Sequence, residues 1–179
     1  VSGSGPIGLL SARSAAFAGA AEVVATDIED AALAVARNSM GANRTVNVSG
    51  GEQPLAEFEA NGGYFDVAFE ASGAPAALQS LFRVVKRGGR IVQVGMLPPG
   101  NAEIPVNVLQ SREIDFVGAF RAHDEFGLAV DLIVSGAIDV SAILSGTYRL
   151  KDAVEAFENA GDRSRVVKLH LAVSGEGGE

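Results

Sequence analysis

The sequence predicts an α/β fold: a doubly wound parallel sheet with its first strand truncated, followed by a C-terminal helix–strand appendage. Three observations carry that prediction. Short apolar runs alternate with segments of helical periodicity, the pattern of a parallel sheet covered by helices. The chain opens on Gly3-Ser4-Gly5-Pro6-Ile7-Gly8, a G-x-G-x-x-G run ahead of a helical segment. An acid, Asp27, closes the next apolar run. It stands at about the twenty-residue distance that separates such a turn from the acid of its second strand.

Each residue of this pair of motifs has a physical task. Gly3 lets the chain turn sharply as a strand ends, Gly5 lets backbone approach a pyrophosphate, and Gly8 lets the helix pack close to the sheet. Pro6 suits a first helical position, where its missing N–H would lack a partner anyway. Ile7 and Gly8 then offer amides at the positive end of the helix dipole. Asp27, at the carboxyl end of the second strand, can accept hydrogen bonds from both hydroxyls of an adenosine ribose. It repels a 2′-phosphate by at most about 4 kcal/mol at an effective dielectric of about 20. Neither Ile28 nor Glu29 supplies a cation to reverse this, so NAD is expected over NADP. The alternatives are an ordinary glycine-rich loop and, for Asp27, a helix-capping role in which Asp30 competes.

The elements follow in order. Only Val1 and Ser2 precede Gly3, so the first strand is expected to be cut within a longer polypeptide. A helix is predicted over residues 6–19, with Ile7, Leu10, Ser14 and Phe17 on one face. A buried strand over 23–26 precedes a helix over 30–40 that Gly41 stops. A short strand over 45–48 leads to a helix over 53–60, ended by Asn61-Gly62-Gly63. Residues 65–70 read as a buried strand, Ala71-Ser72-Gly73 as a turn, and 75–85 as a helix that Pro75 opens. Lys86-Arg87-Gly88-Gly89 reads as a tight turn, 90–94 as a strand and 95–100 as a loop. Residues 104–108 and 114–119 read as strand or extended segments. A helix over 125–135 is expected to turn Phe126, Ala129, Val130 and Ile133 inward. Residues 150–159 form an amphipathic helix with Leu150, Val154 and Phe157 on one side, and 165–173 a final strand. The Gly- and Glu-rich residues 174–179 are expected to be disordered. The organisation is thus a Rossmann-type domain over 1–121, a C-terminal segment over 122–173 and a tail.

Composition narrows the function classes. The chain has 179 residues, 47% hydrophobic and 20% charged, enough for one sizeable core. Net charge is −8 and the sequence pI is about 4.8, which argues against nucleic acid or an anionic membrane as partner. No apolar stretch approaches the ~20 residues of a membrane span. Cysteine is absent, and the two histidines, His123 and His170, are far apart. No disulfide, thiolate zinc site or His/Cys/Glu metal cluster is expected among these residues.

Several segments fall in a familiar order: Gly3 to Gly8, Asp27, Phe65-Asp66-Val67-Ala68-Phe69-Glu70-Ala71-Ser72-Gly73, Lys86-Arg87-Gly88-Gly89-Arg90-Ile91-Val92-Gln93-Val94-Gly95-Met96 and Val117-Gly118-Ala119-Phe120-Arg121. Together they resemble the cofactor-binding half of the zinc-containing medium-chain dehydrogenases, the alcohol and polyol dehydrogenase superfamily, over residues 1–173. Gly63-Tyr64-Phe65-Asp66, Gly118-Ala119-Phe120-Arg121 and Ala160-Gly161-Asp162-Arg163 resemble its L-idonate 5-dehydrogenase branch.

The resemblance implies that Gly3, Gly5, Pro6, Ile7 and Gly8 hold the pyrophosphate and Asp27 the adenosine ribose. It implies that Ala71, Ser72 and Gly73 wall the adenine and ribose side. Val94, Gly95 and Met96 would pack the nicotinamide, and Ala119 and Phe120 close over it. Arg121 would meet a substrate carboxylate, and Lys168 would reach the pyrophosphate. Ala122 stands where sorbitol-type relatives carry tyrosine. The implied activity is hydride transfer between a secondary alcohol of a sugar acid or polyol, L-idonate C5 favoured, and NAD. Zinc would serve the intact enzyme only, with its ligands and catalytic residues outside this chain. These residues alone would then bind NAD weakly and turn nothing over. A cytoplasmic homo-oligomer, paired through residues 113–118, is also implied.

Other readings stay open. One is another polyol, alcohol or threonine dehydrogenase of the superfamily. Another is a zinc-free quinone reductase, against which Asp27 argues. An S-adenosylmethionine-dependent methyltransferase would space its glycine loop differently. The last is a non-catalytic dinucleotide-binding or dimerisation module.

Overall fold

The computed structural model describes residues 1–51, 53–122 and 124–173. After the glycine turn come α1 (Pro6–Phe17), β1 (Val24–Asp27), α2 (Asp30–Ser39) and β2 (Arg44–Asn47). Two 3₁₀ turns (Gln53–Phe58 and Ala60–Gly62) lead into β3 (Phe65–Glu70), α3 (Pro75–Val84) and β4 (Val85–Gln93). Then follow α4 (Val106–Ser111), β5 (Asp115–Gly118), α5 (Glu125–Val134), β6 (Leu144–Arg149), α6 (Ala153–Ala160) and β7 (Lys168–Ala172).

The main sheet is parallel throughout. β1 pairs with β2, and β3, β4 and β5 pair in that order. Ser2 joins the two halves through parallel bridges to Thr26 of β1 and Glu70 of β3. Ser2 N–H donates to Phe69 O at 2.8 Å, Gly3 N–H to Thr26 O at 2.8 Å, and Ala71 N–H to Ser2 O at 2.7 Å. The order is therefore β2–β1–Ser2–β3–β4–β5. The chain winds outward in one direction from Ser2, then returns and winds outward in the other. The glycine turn after Ser2 thus lies at the topological switch point, where doubly wound sheets open a crevice at their carboxyl edge.

Two buried clusters hold the sheet to its helices. One joins Leu78, Leu81 and Phe82 of α3 to Val85 and Ile91 of β4, Phe58 and Ile114. The other joins Leu9 and Ala12 of α1 to Ala25 of β1, Ala36 of α2, Met40 and Ile143. Ile143 reaches α1 from the C-terminal segment, and Arg13 Nη2 also donates to Ala137 O at 3.4 Å. β6 and β7 form a separate parallel pair; β6 has no counterpart in the sequence expectation.

Several expectations are corrected. The buried face of α1 is Gly8, Leu9 and Ala12, whereas Ile7 and Phe17 are exposed. Ile7 lines an open apolar groove with Leu10, Ser14 and Phe69. The close approach that Gly8 permits selects which stripe faces inward. Residues 104–108 are not a strand, since α4 begins at Val106. Pro105 caps it with φ −78°, and Ile104, Val108 and Leu109 pack on the core at helical rather than alternating spacing. The helix expected over 53–60 is 3₁₀, and Asn61 takes φ 57°.

Lys86-Arg87-Gly88-Gly89 do not separate two elements. They bulge within β4, where pairing shifts from Phe65↔Val85 to Val67↔Arg90, with Gly88 at φ 70°. The helix over 150–159 splits into a 3₁₀ turn (Leu150–Asp152) and α6. Phe126, Val130 and Ile133 are 66%, 42% and 46% exposed, and Ala129 is exposed too, so the apolar face expected to turn inward on α5 does not. Leu150, Val154 and Phe157 are likewise exposed. Helical periodicity reveals an apolar stripe but not the surface that covers it. His123 and residues 174–179 lie outside the described residues.

Candidate functional site

The glycine turn is built at the limit of backbone approach. Gly3 has φ +91°, and a Cβ there would stand 2.6 Å from Ser72 N. A Cβ on Gly8 would run into the carbonyl of Gly3. Gly5 differs: it is exposed, and nothing lies within 4 Å of its Cβ position. Two glycines therefore serve packing, and the third faces open space.

Gly5 is the N-cap of α1, with Pro6 next and no side-chain cap bond among the described residues. The first helical bond is Leu9 N–H to Gly5 O at 2.9 Å. The amides of Ile7 and Gly8 thus precede the helical ladder at the dipole's positive end, the arrangement that receives an anion.

Asp27 sits at the mouth of this turn. Its Oδ2 accepts from Ser4 N–H at 2.5 Å. Its Oδ1 accepts from Ile28 N–H at 2.8 Å and Glu29 N–H at 3.0 Å. The carboxylate of β1 is therefore locked to the glycine loop. The capping alternative loses ground, because α2 has Glu29 as N-cap and no side-chain cap bond. Asp30 instead accepts from Asn47 Nδ2 at 2.6 Å.

Beyond the turn, the ends of β3, β4 and β5 form the continuation of the same edge. Glu70 closes β3 and is fully buried. Its Oε1 accepts from Ser72 N–H at 2.8 Å, from Ser72 Oγ, and from Gly73 N–H at 3.1 Å. Its Oε2 accepts from Gln93 Nε2 at 2.7 Å. Its backbone carbonyl accepts from both Val94 N–H and Gly95 N–H at 2.8 Å. Gly95 is tight against this group, since a Cβ there would stand 2.5 Å from Gly73 N and 2.7 Å from Glu70 Oε2. Gly73, at φ +70°, abuts Met96 O so closely that no Cβ fits.

The predicted segments Ala71–Ser72–Gly73 and Val94–Gly95–Met96 are thus brought into contact with each other, and the first also with Gly3. Sequence reading did not single out Glu70 or Gln93. The signal available was a carboxylate ending an otherwise apolar buried strand.

Ala119 N–H donates to Gln93 O at 2.9 Å, which carries Ala119 and Phe120 to the same edge. Phe120 and Met96 are 74% and 81% exposed there. Arg121 holds a left-handed backbone, φ 62°, with its guanidinium 5.0 Å from the Phe120 ring centroid. Lys168 opens β7 in the second sheet and is exposed. No hydrogen bond or ion pair joins it to the glycine loop among the described residues. Those residues hold no cluster of three or more His, Cys, Asp or Glu able to bind a metal, and no helix among them is long and apolar enough to cross a membrane.

A family model described as zinc-binding dehydrogenase matches residues 6–135. L-idonate 5-dehydrogenase (NAD(P)(+)) of Escherichia coli K12 is 37% identical over 96% of this chain and 49% of its own length. Sorbitol dehydrogenase of Bacillus subtilis is 35% identical over 89% of this chain and 45% of its own. The crystal structure of the Escherichia coli L-idonate 5-dehydrogenase superposes with a TM-score of 0.88 at 36% identity, covering 96% of this chain and 49% of that one. The chain spans about half the length of the curated relatives it matches. The glycine turn opening α1, the parallel sheet wound both ways from Ser2 and the family match over residues 6–135 agree, and the chain belongs to the zinc-binding dehydrogenase family.

Proposed function

We propose that these residues are the NAD-binding part of an oxidoreductase that moves hydride between NAD and a secondary alcohol of a sugar acid or polyol, with L-idonate C5 favoured. The observation that carries the reading is the Asp27 carboxylate bound to Ser4 N–H at 2.5 Å, beside the uncapped amino end of α1. The residues fit the cofactor: Gly5 has open space at its Cβ position, the Ile7 and Gly8 amides would supply donors to a phosphate, and Asp27 would take the ribose hydroxyls.

When bound, the dinucleotide supplies the hydride acceptor. The chain's own share is orientation. The Gly3–Gly8 turn would fix the pyrophosphate, Ala71 to Gly73 the adenosine side, and Val94 to Met96 with Ala119 and Phe120 the nicotinamide side. Arg121 would pair with a substrate carboxylate through two parallel hydrogen bonds. Its left-handed backbone, unusual for a residue with a side chain, is the kind of strain that functional sites retain. Lys168, exposed at the start of β7, is the further cation proposed for the pyrophosphate. Domain roles follow: residues 1–121 would bind the cofactor, and 122–173, which touch α1 through Ile143, would be the C-terminal segment that the family resemblance returns to a catalytic half.

β5 supports a second feature, pairing with another copy of this chain. It is paired to β4 along one edge and has no strand on the other among the described residues, and Val117 is 40% exposed. A two-fold axis there would extend one sheet across two chains.

Calorimetric titration tests the cofactor reading. NAD is expected to bind more tightly than NADP, and Asp27→Ser to narrow that gap by about tenfold or more. An unchanged preference would refute the ribose role of Asp27. No heat on adding NAD to a folded sample would refute the dinucleotide reading itself.

A further inference from the structure

Gln93 stands at the carboxyl end of β4, where the sheet register sets it opposite Glu70. Its side-chain Nε2 bridges two acceptors, Glu70 Oε2 and Gly95 O, each at 2.7 Å. Its Oε1 is buried without a hydrogen-bond partner among the described residues. An unpartnered buried acceptor costs free energy. Reversing the amide would be worse, because it would set an oxygen against both a carboxylate and a carbonyl. The residue keeps one unsatisfied atom in order to make this bridge.

The bridge joins segments that backbone bonds alone do not fix completely. Glu70 Oε1 gathers the Ser72–Gly73 turn, which touches Gly3 of the phosphate loop. Gln93 extends the same carboxylate to the carbonyl of Gly95. Hydrogen bonds to a buried carboxylate are short and directional, and fixed dipoles of this kind hold a first layer of contacts in register.

We propose that Gln93, anchored on Glu70, is a positioning residue that sets the Val94–Met96 segment at a fixed distance from the phosphate loop, so that the nicotinamide end of the dinucleotide is held separately from the adenosine end. This rests on the dinucleotide reading above. It adds two residues to the cofactor site that touch the cofactor's walls rather than the cofactor.

The two ends can be told apart with ADP-ribose, which carries every part of NAD except the nicotinamide ring. Calorimetry on the full chain would compare NAD and ADP-ribose for the unmodified protein, Gln93→Leu and Glu70→Gln. Gln93→Leu is expected to weaken NAD about fivefold or more while leaving ADP-ribose within about twofold. Glu70→Gln is expected to weaken both, NAD the more.

Equal losses for the two ligands in Gln93→Leu would reduce the residue to general structural support and overturn the proposal. So would an unchanged NAD affinity, or an unmodified protein that binds ADP-ribose as tightly as NAD. If Glu70→Gln does not fold, Gln93→Leu decides alone. An unmodified protein that binds neither ligand would overturn the dinucleotide reading and this inference with it.

Discussion

The carboxyl edge around Ser2 and the α5–α6 region use apolar and polar residues in opposite ways. At the edge, Glu70 is fully buried yet meets Ser72, Gly73 and Gln93, and Gly3, Gly8, Gly73 and Gly95 leave no room for a Cβ. On α5 and α6, Phe126, Val134, Val154 and Phe157 are 66%, 81%, 74% and 75% exposed, with little of this chain against them. The first region is tightly determined: the Glu70 carboxylate has several partners, and the glycines around it have no space for a side chain. The second has helical shape without a covering surface among the described residues. A polar group can be rigidly placed when its partners come from the same sheet, whereas an apolar stripe is only as fixed as what packs on it.

The largest test of that contrast lies within the glycine turn. Gly8→Ala is expected to cost roughly 3 kcal/mol or more, because the new methyl meets backbone that cannot move aside. Gly5→Ala should change stability by no more than about 0.5 kcal/mol yet lower NAD affinity by about tenfold or more. Thermal unfolding and calorimetry on both variants check the pair. Equal destabilisation by the two would erase the distinction between the packing glycines and the open one.

The core-against-face comparison comes next. Phe82, 1% exposed, should lose about 3–5 kcal/mol on replacement by alanine. Phe126→Ser and Phe157→Ser should each stay within about 0.5 kcal/mol for the isolated 179-residue chain. Denaturant titration measures all three. Comparable losses would mean that the face is covered in solution.

The smallest expected effect is electrostatic. Tyr64 Oη donates to Glu22 Oε2 at 2.6 Å, and this bond to Glu22 holds the phenol above its ordinary value of 10.0. A raised acid pKa stabilises the fold while the phenol is protonated, and the gain is lost as pH rises through the shifted value. The difference in unfolding midpoint between the natural chain and Tyr64→Phe should therefore be constant through neutral pH and shrink above about pH 10. A difference that grows in alkali would contradict the bond's role.

Much of the fold and of the candidate site is legible in the residues alone. Pro6 after Gly5 marks where α1 begins, Gly41 where α2 ends, and the spacing of Asp27 from the glycine run puts it at the mouth of the turn. These are local matters: a fixed φ, a missing Cβ, a strand of known length. The same reasoning fails at residues 104–108, where an apolar run rich in β-branched residues resembles a strand although Pro105 and the spacing of Ile104 and Val108 make a helix. It also fails to choose the buried stripe of α1, because both stripes are apolar and only the approach of Gly8 to Gly3 decides between them.

By itself, then, the sequence determined the class of sheet, the glycine turn and the acid beside it, since each follows from steric and hydrogen-bonding rules acting over a few consecutive residues. Only the tertiary structure decided that Ser2 lies between β1 and β3, that Gln93 meets Glu70, and that the apolar faces of α5 and α6 are exposed among the described residues. Those depend on sheet register and on which surfaces come together, and such contacts join residues distant in sequence that no local periodicity relates.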